Sequence, residues 1–283
     1  RYLVDLTQFS RFFKQGLILS KDGKTLWLAV GGLSGPIQIP EGVRKIAEYA
    51  FAECRNVKEI LMSDSVTTIG VHGFSDCDSL KRLNLSNNIK KINRKLCAGC
   101  RELEEIALPD ELINIGEYAF WNCGLREIVL PGKVEKVEAS AFAQCPLQKV
   151  TITSPEMRFS STAFGSRFNQ ITFVADQVPL SSLPKRILDS LLRNFAKRFA
   201  DEAGQMEPNV REEYLAYIKN HRKALWKDRE FLSIIMKERY ITAADFTHCL
   251  EDINQLGDLE MSAALLEYRN RNISQAELNQ VAE

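Results

Sequence analysis

Ile39-Pro40-Glu41-Gly42-Val43-Arg44-Lys45-Ile46-Ala47-Glu48-Tyr49-Ala50-Phe51-Ala52-Glu53-Cys54-Arg55-Asn56-Val57-Lys58-Glu59-Ile60 is one unit of a pattern that recurs down the chain. Val43, Val66, Ile89, Leu112 and Val134 follow one another at steps of 23, 23, 23 and 22 residues, and Ile46, Ile69, Ile92, Ile115 and Val137 repeat those steps. A third row is Phe51, Phe74, Cys97, Phe120, Phe142 and Phe164. Each unit closes on an apolar triplet: Val57-x-x-Ile60-x-Met62, Leu80-x-x-Leu83-x-Leu85, Leu103-x-x-Ile106-x-Leu108, Leu125-x-x-Ile128-x-Leu130 and Leu147-x-x-Val150-x-Ile152. Self-similarity at a fixed short period is the mark of a solenoid, whose units cannot bury their apolar side alone and do so by stacking.

The closing triplets end with period two and are followed by turn residues such as Pro109, Pro131 and Gly132, which predicts one short strand per unit. Stacked units bring successive strands to about 4.8 Å as a parallel ladder, and each row becomes a continuous buried spine. A buried Phe contributes ~1.5 to 3 kcal/mol, so the Phe row is expected to be a main source of stability. Cys97, where the aromatic is missing, and Gly73 beside Phe74 are expected to be weaker spots.

In this register the units resemble the BspA-like leucine-rich repeat, with its Ile-Pro-x-x-Val-x-x-Ile-x-x-x-Ala-Phe-x-x-Cys-x-x-Leu-x-x-Ile-x-Leu consensus. The likeness covers roughly Ile39 to Val174, about half of the 283 residues. It departs at Arg94-Lys95-Leu96-Cys97, which replaces the aromatic, and in the sixth copy, where Ala163-Phe164 has no following Cys. The resemblance implies an α/β solenoid class, a right-handed leucine-rich-repeat-like β-rich coil used for recognition by bacterial proteins, with no catalytic residues.

Cys54, Cys77, Cys100, Cys123 and Cys145 recur once per unit at one phase. A metal site or disulfide framework is one reading and a small apolar filler is the other. Stacked equivalents point the same way about 4.8 Å apart, whereas a disulfide needs facing Cβ atoms near 3.8 Å, which favours the filler. Cys97 and Cys100 form a Cys-x-x-Cys pair without the second pair or His partners of a zinc site. No metal and no cofactor is expected.

In each closing strand the third and fifth residues face away from the core. They are Glu59 and Leu61, Arg82 and Asn84, Glu105 and Ala107, Glu127 and Val129, Lys149 and Thr151. These ten form the expected partner-binding concave face. The competing reading is an ordinary solvated sheet in which Glu59, Arg82 and Glu105 neutralise one another. No aromatic stripe of the kind that stacks on sugars or bases runs through the column, so a protein or peptide partner is expected.

Three regions follow: 1–38 as an N-terminal cap, 39–178 as about six repeats, and 179–283 as an all-α helical domain. Leu17-Ile18-Leu19 and Thr25-Leu26-Trp27-Leu28-Ala29 around Asp22-Gly23 predict a β-hairpin that covers the first open edge. Phe9, Phe12 and Phe13 stand before it at helical spacing, and Gly31-Gly32-Leu33-Ser34-Gly35-Pro36 reads as a loop, since Pro36 and the missing Lys-Ser/Thr exclude a phosphate site. After Pro179 the period becomes helical. Ile187, Leu188, Leu191, Leu192, Phe195 and Phe199 predict a helix opened by Pro184 and ended at Gly204. Val210, Tyr214, Leu215, Ile218 and Leu225 predict a second, and Phe231, Leu232, Ile235 and Met236 a third. Thr242-Ala243-Ala244-Asp245 resembles a capping box opening a helix with Phe246, Cys249, Leu250 and Ile253. A last helix, Leu259 to Arg269, would pair with it in the manner of an ankyrin unit, though in one weak copy only. The default role of these helices is to cap the solenoid.

Lys plus Arg equals Asp plus Glu at 37 each, so no net field favours nucleic acid. No run of 18 or more apolar residues spans a membrane. The three histidines, His72, His221 and His248, build no site by spacing, and His248-Cys249 lacks an implied orienting group. The chain opens on Arg1 rather than Met, which reads as a fragment or a trimmed chain and leaves an upstream targeting segment open. Reduced thiols lean toward the cytoplasm; a removed signal would place the chain at the cell surface. The expected function is a non-enzymatic protein-interaction scaffold. Its rivals are a ligand-binding or enzymatic helical tail targeted by the repeats, and a surface adhesin segment.

Overall fold

Period-two burial in each closing triplet produces the expected strands, and a second set of two-residue strands forms where the Ile46 row passes through the core. In chain order the strands are β1 (Phe13–Lys14), β2 (Leu17–Leu19), β3 (Thr25–Ala29), β4 (Gly35–Gln38), β5 (Lys45–Ile46), β6 (Val57–Leu61), β7 (Thr68–Ile69) and β8 (Arg82–Asn84). They continue with β9 (Lys91–Ile92), β10 (Asn114–Ile115), β11 (Glu127–Leu130), β12 (Lys136–Val137), β13 (Lys149–Ile152), β14 (Arg158–Phe159) and β15 (Thr172–Val174). This computed structural model describes residues 13–14, 16–30, 32–154, 157–175, 178–180, 183–200 and 208–282. The chain divides into two units, Arg1–Ile187 and Leu188–Glu283.

In the first unit, β4, β6 and β8 form one parallel ladder and β11, β13 and β15 another, in register Glu59↔Arg82, Ile60↔Leu83 and Glu127↔Lys149, Ile128↔Val150. On the other side of each coil β3, β5 and β7 run parallel, as do β9, β10, β12 and β14. The hairpin forms between β2 and β3, antiparallel with a register shift at Ile18/Leu19. Its second strand pairs parallel with β5, and β4 pairs parallel with β6, so the lead-in already supplies both faces of a coil. Phe13 is not helical as its spacing suggested. It lies on β1, opposite Ile18 of β2, and Phe9 and Phe12 lie outside the described residues.

A third, unbroken ladder runs through the turns. Phe51 N–H donates to Gly73 C=O, Phe74 to Leu96, Cys97 to Ala119, Phe120 to Ala141 and Phe142 to Ala163, all at 2.8 to 2.9 Å. Two left-handed positions per coil aim these donors along the stack. Tyr49, His72, Lys95, Tyr118 and Ser140 form one column at φ between 53° and 58°, and Glu53, Asp76, Gly99, Asn122 and Gln144 form another. A non-glycine residue in this conformation costs about 1 to 2 kcal/mol, which the inter-coil hydrogen bonds and buried rows offset. Phe120 stacks on Phe142 at 5.3 Å and Phe142 on Phe164 at 5.7 Å, while Phe51 and Phe74 pack tilted at 5.3 Å.

The third coil departs from its neighbours. Leu96 stands where the other coils have Ala or Gly, and Cys97 where they have Phe, so bulk moves one residue along the chain. Both side chains are fully buried. A Cβ on Gly73 would stand 3.3 Å from Leu96 Cδ1 and 2.8 Å from Ile69 Cγ2, so the glycine makes room for the swap. The ladder also opens between β7 and β9, where the Asn93 side-chain amide donates to Ile69 C=O instead. The expectation of one strand per unit fails here too: residues 103–108 keep only an isolated bridge from Glu105 to Arg82.

The second unit contains helices. Helix α1 (Lys185–Ala200) runs from the end of the first unit into it, followed by α2 (Pro208–Asn220), α3 (Arg222–Leu225), α4 (Arg229–Lys237), α5 (Ala243–Gln255), α6 (Leu259–Asn272) and α7 (Gln275–Ala282). Leu225 therefore belongs to a separate short helix, α7 follows what the sequence suggested was the last one, and Gly204 lies outside the described residues. Val210, Tyr214, Ile218, Phe231, Leu232, Ile235, Phe246, Cys249 and Ile253 are buried as their spacing requires, while Phe199, Leu215, Met236 and Leu250 are half-buried. Trp226, fully buried, donates its indole N–H to Asp252 at 2.8 Å.

The expected capping box at Thr242 does not form. Its hydroxyl donates to the Asp245 carboxylate at 3.0 Å, and that carboxylate also receives Arg222 at 2.7 and 2.8 Å. Asp245 is thus an ion-pair partner buried against α3. The capping box that does form is at Ser274 and Glu277: Ser274 N–H donates to Glu277 at 2.7 Å and Glu277 N–H to Ser274 Oγ at 3.3 Å. No helix among the described residues is long and apolar enough to cross a membrane.

Candidate functional site

Strand alternation places the expected binding column on the outward side of the closing strands. Arg82, Asn84, Glu105, Ala107, Glu127, Val129 and Lys149 are exposed, and Glu59, Leu61 and Thr151 are half-buried. Glu59, Leu61, Arg82, Asn84, Glu105, Ala107, Glu127 and Val129 line one groove of about 990 Å³. Lys149 and Thr151 lie on β13, outside this lining. Val129 is 57% exposed, a large apolar surface for a strand residue.

The groove sits where the ladder is open. Among the described residues, the backbones of Ile106, Ala107 and Leu108 make no hydrogen bond to other backbone groups. The apolar pattern predicted Ile106 and Leu108 to be inward and buried; both are half-exposed and line the groove, whereas Ile60, Leu83, Ile128, Val150 and Met62, Leu85, Leu130, Ile152 are buried. Parallel strands align every residue of one coil with its equivalent in the next, so charges in one column meet directly. The column reads Glu59, Arg82, Glu105, Glu127, Lys149. Opposite charges face each other at Glu59↔Arg82, Arg82↔Glu105 and Glu127↔Lys149; a ladder holds at the first and third and a single bridge at the second. Glu105 and Glu127 are like-charged, and pairing is lost between them. Like charges in facing positions cost a few tenths to about 1 kcal/mol, enough to tip a short strand whose outward residue is the weak strand former Ala107.

Glu59 and Arg82 form the ion pair the solvated-face reading requires, with Arg82 Nε 3.2 Å from Glu59 Oε1. Glu105 does not complete that neutral cluster. Among the described residues, Glu105, Glu127 and the further lining residues Glu104, Asp110 and Arg126 form no ion pair. The sequence reading missed the last three, as well as Ile106 and Leu108. The signal available for the break was the Glu105-to-Glu127 juxtaposition at the 22-residue step.

The cysteine column gains a role beyond filling. All seven cysteines are free and buried. Cys77 Sγ donates to Phe51 C=O at 3.1 Å, Cys100 to Phe74 at 3.1 Å, Cys123 to Cys97 at 3.0 Å and Cys145 to Phe120 at 2.9 Å. Each thiol thus satisfies a carbonyl of the preceding coil, which explains Cys over Ala at this phase. Burial raises the Cys54 thiol to about 11, and Cys100 and Cys123 lie well above their ordinary value for the same first reason. His72 stacks on Tyr49 at 4.6 Å on the left-handed turn column; burial and the neighbouring Lys95 and Arg94 lower its pKa. His221 stands at the N-cap position of α3 without a side-chain capping bond, and its ring stacks on Tyr217. His248 is exposed while adjacent Cys249 is buried, its thiol raised to about 12 by burial, so this pair does not converge. Among the described residues no three His, Cys, Asp or Glu side chains gather as a metal site.

A family model described as BspA type leucine rich repeat region, in 6 copies, matches residues 35–148 and 90–183. Among solved structures, the chain is similar to a leucine rich cell surface protein from Faecalibacterium prausnitzii, with 28% identity over 52% of this chain and 38% of that one, at a TM-score of 0.45. It is similar to the T. pallidum leucine rich repeat protein, with 22% identity over 69% of this chain and 95% of that one, at a TM-score of 0.49. The pneumococcal vaccine antigen PcpA is 21% identical over 64% of this chain and 44% of that one, with a TM-score of 0.50, and shares the fold. The chain thus spans less than half the length of the Faecalibacterium protein and of PcpA. No curated protein matches it.

Proposed function

Because the chain belongs to the BspA type leucine rich repeat family, we propose that it is a non-catalytic bacterial interaction protein that binds a protein partner along the groove of its closing strands. The family points to an interaction or adhesion role and away from catalysis. The observation that carries the finer reading is the convergence of eight outward residues on one groove of about 990 Å³, with Val129 presented to solvent and four carboxylates without an ion-pair partner among the described residues. A surface whose charges are already matched has little left to recognise. This one offers unmatched charge beside apolar surface, the combination that steers encounter and sets specificity.

The test places a photo-crosslinking p-benzoylphenylalanine at Ala107 and a second at Lys21, on the hairpin turn away from the groove. Partners recovered from bacterial lysate through position 107, not through 21, and lost on Arg82→Ala/Glu105→Ala/Glu127→Ala support the reading. Identical recovery from both positions, or recovery indifferent to the triple variant, contradicts it.

A further inference from the structure

We propose that the groove takes an extended basic segment of a partner, which seats its backbone against the unpaired stretch Ile106–Leu108 and its cationic side chains between Glu105 and Glu127. This rests on the reading of the groove as the interaction face and names the chemistry of what it binds.

Two independent features point to this occupant. The first is backbone. Ile106, Ala107 and Leu108 present donors and acceptors without backbone partners among the described residues, beside β11, whose pairing partner is β13. Unpaired backbone along a groove can take up an added extended segment, and main-chain hydrogen bonds then supply affinity independent of side-chain identity. The second is charge. Glu104, Glu105, Asp110 and Glu127 against Arg126 leave the unpaired lining residues at a net −3 (four carboxylates, one guanidinium), although the whole chain is neutral. Along the column the signs run minus, plus, minus, then minus, plus. A cation entering between Glu105 and Glu127 restores the alternation of sign that runs through the rest of the column. An acidic or kinked segment gains neither effect. The exposed Val129 and half-exposed Leu108 accept the apolar side chains that alternate with the cations in an extended strand.

The probe is a fluorescein-tagged Lys-Val-Lys-Val-Lys-Val peptide, titrated with the full chain and read by anisotropy. Two companions are the same peptide N-methylated at alternate amides, and a Glu-Val alternating peptide. The Lys-Val peptide is expected to bind. N-methylation is expected to weaken it about tenfold or more by removing main-chain donors. Glu105→Gln/Glu127→Gln is expected to weaken it about tenfold, while Arg126→Gln, which removes the groove lining's cation that has no ion pair among the described residues, leaves binding equal or tighter; circular dichroism checks that each variant is folded. No binding, equal binding of the N-methylated or Glu-Val peptide, or indifference to the Gln variants overturns the inference. Competition separates it from the broader reading. A partner crosslinked at position 107 and not displaced by excess Lys-Val peptide overturns the basic-strand assignment and leaves the interaction face standing, whereas failure of crosslinking at 107 removes both.

Discussion

If Leu96 fills the space that Cys97 leaves, the two residues must be energetically coupled, and a double-mutant cycle measures this. Leu96→Ala removes a fully buried side chain from a close-packed spine; the lost transfer energy and the cavity together cost about 3 kcal/mol. Cys97→Phe alone pushes a ring into a coil already occupied by Leu96, with Cys97 fully buried and no room to yield, and overpacking costs about 2 kcal/mol. The double variant restores the Ala-Phe order of Ala50-Phe51 and Ala119-Phe120 and joins the Phe74 and Phe120 rings into one row. Additivity predicts about 5 kcal/mol; compensation predicts about 2, a coupling of about 3 kcal/mol. Urea titration followed by hydrogen exchange of peptides spanning residues 73–120 isolates the solenoid from the helical unit. A double variant that costs the sum of the singles to within about 0.5 kcal/mol would show that Leu96 and Cys97 do not share one space.

Glu127→Gln removes the like-charge contact with Glu105, so the amides of residues 106–108 are expected to slow in hydrogen exchange as pairing closes; unchanged exchange refutes the electrostatic account of the break. The native thiols are expected to resist DTNB at pH 8 and all seven to react in denaturant. Burial raises Cys54 from 9.0 to about 11, so its thiolate is scarce at that pH, and its stabilising contribution is present below about pH 9 and lost as pH rises through the folded value; rapid native labelling contradicts this. Burial of Asp245 disfavours its charge, but the bonds from Arg222, Thr242 and Lys223 outweigh it and hold the pKa below 3.8. Its contribution is therefore present above that pH and lost as pH falls further, through the folded value. Asp245→Asn is expected to cost the helical unit about 2 kcal/mol at pH 7 and to flatten its acid transition; an unchanged acid profile sinks that assignment.

The sequence alone determined the register of the solenoid, because Val43, Ile46 and Phe51 are buried in every coil and burial leaves a periodic apolar trace. It likewise determined the amphipathic helices, since residues such as Leu188, Leu192 and Phe195 obey a local geometry of 3.6 residues per turn. It separated outward from inward positions along the strands, except at Ile106 and Leu108, and eight of the eighteen residues that line the groove stand at those outward positions. Only the tertiary structure decided the rest. Tyr, Lys and Ser carry no preference for left-handed φ, so the column from Tyr49 to Ser140 exists because hydrogen bonds to the next coil impose it. Asp245 looked like a capping residue until Arg222, 23 positions earlier, claimed its carboxylate. The ladder break belongs to no single unit: Glu105 and Glu127 are each ordinary strand-surface residues, and they disfavour pairing only because stacking sets one against the other. Local pattern reports what a residue does within its own coil. The groove arises between coils, where the physical quantity that matters is the identity of the neighbour one turn away.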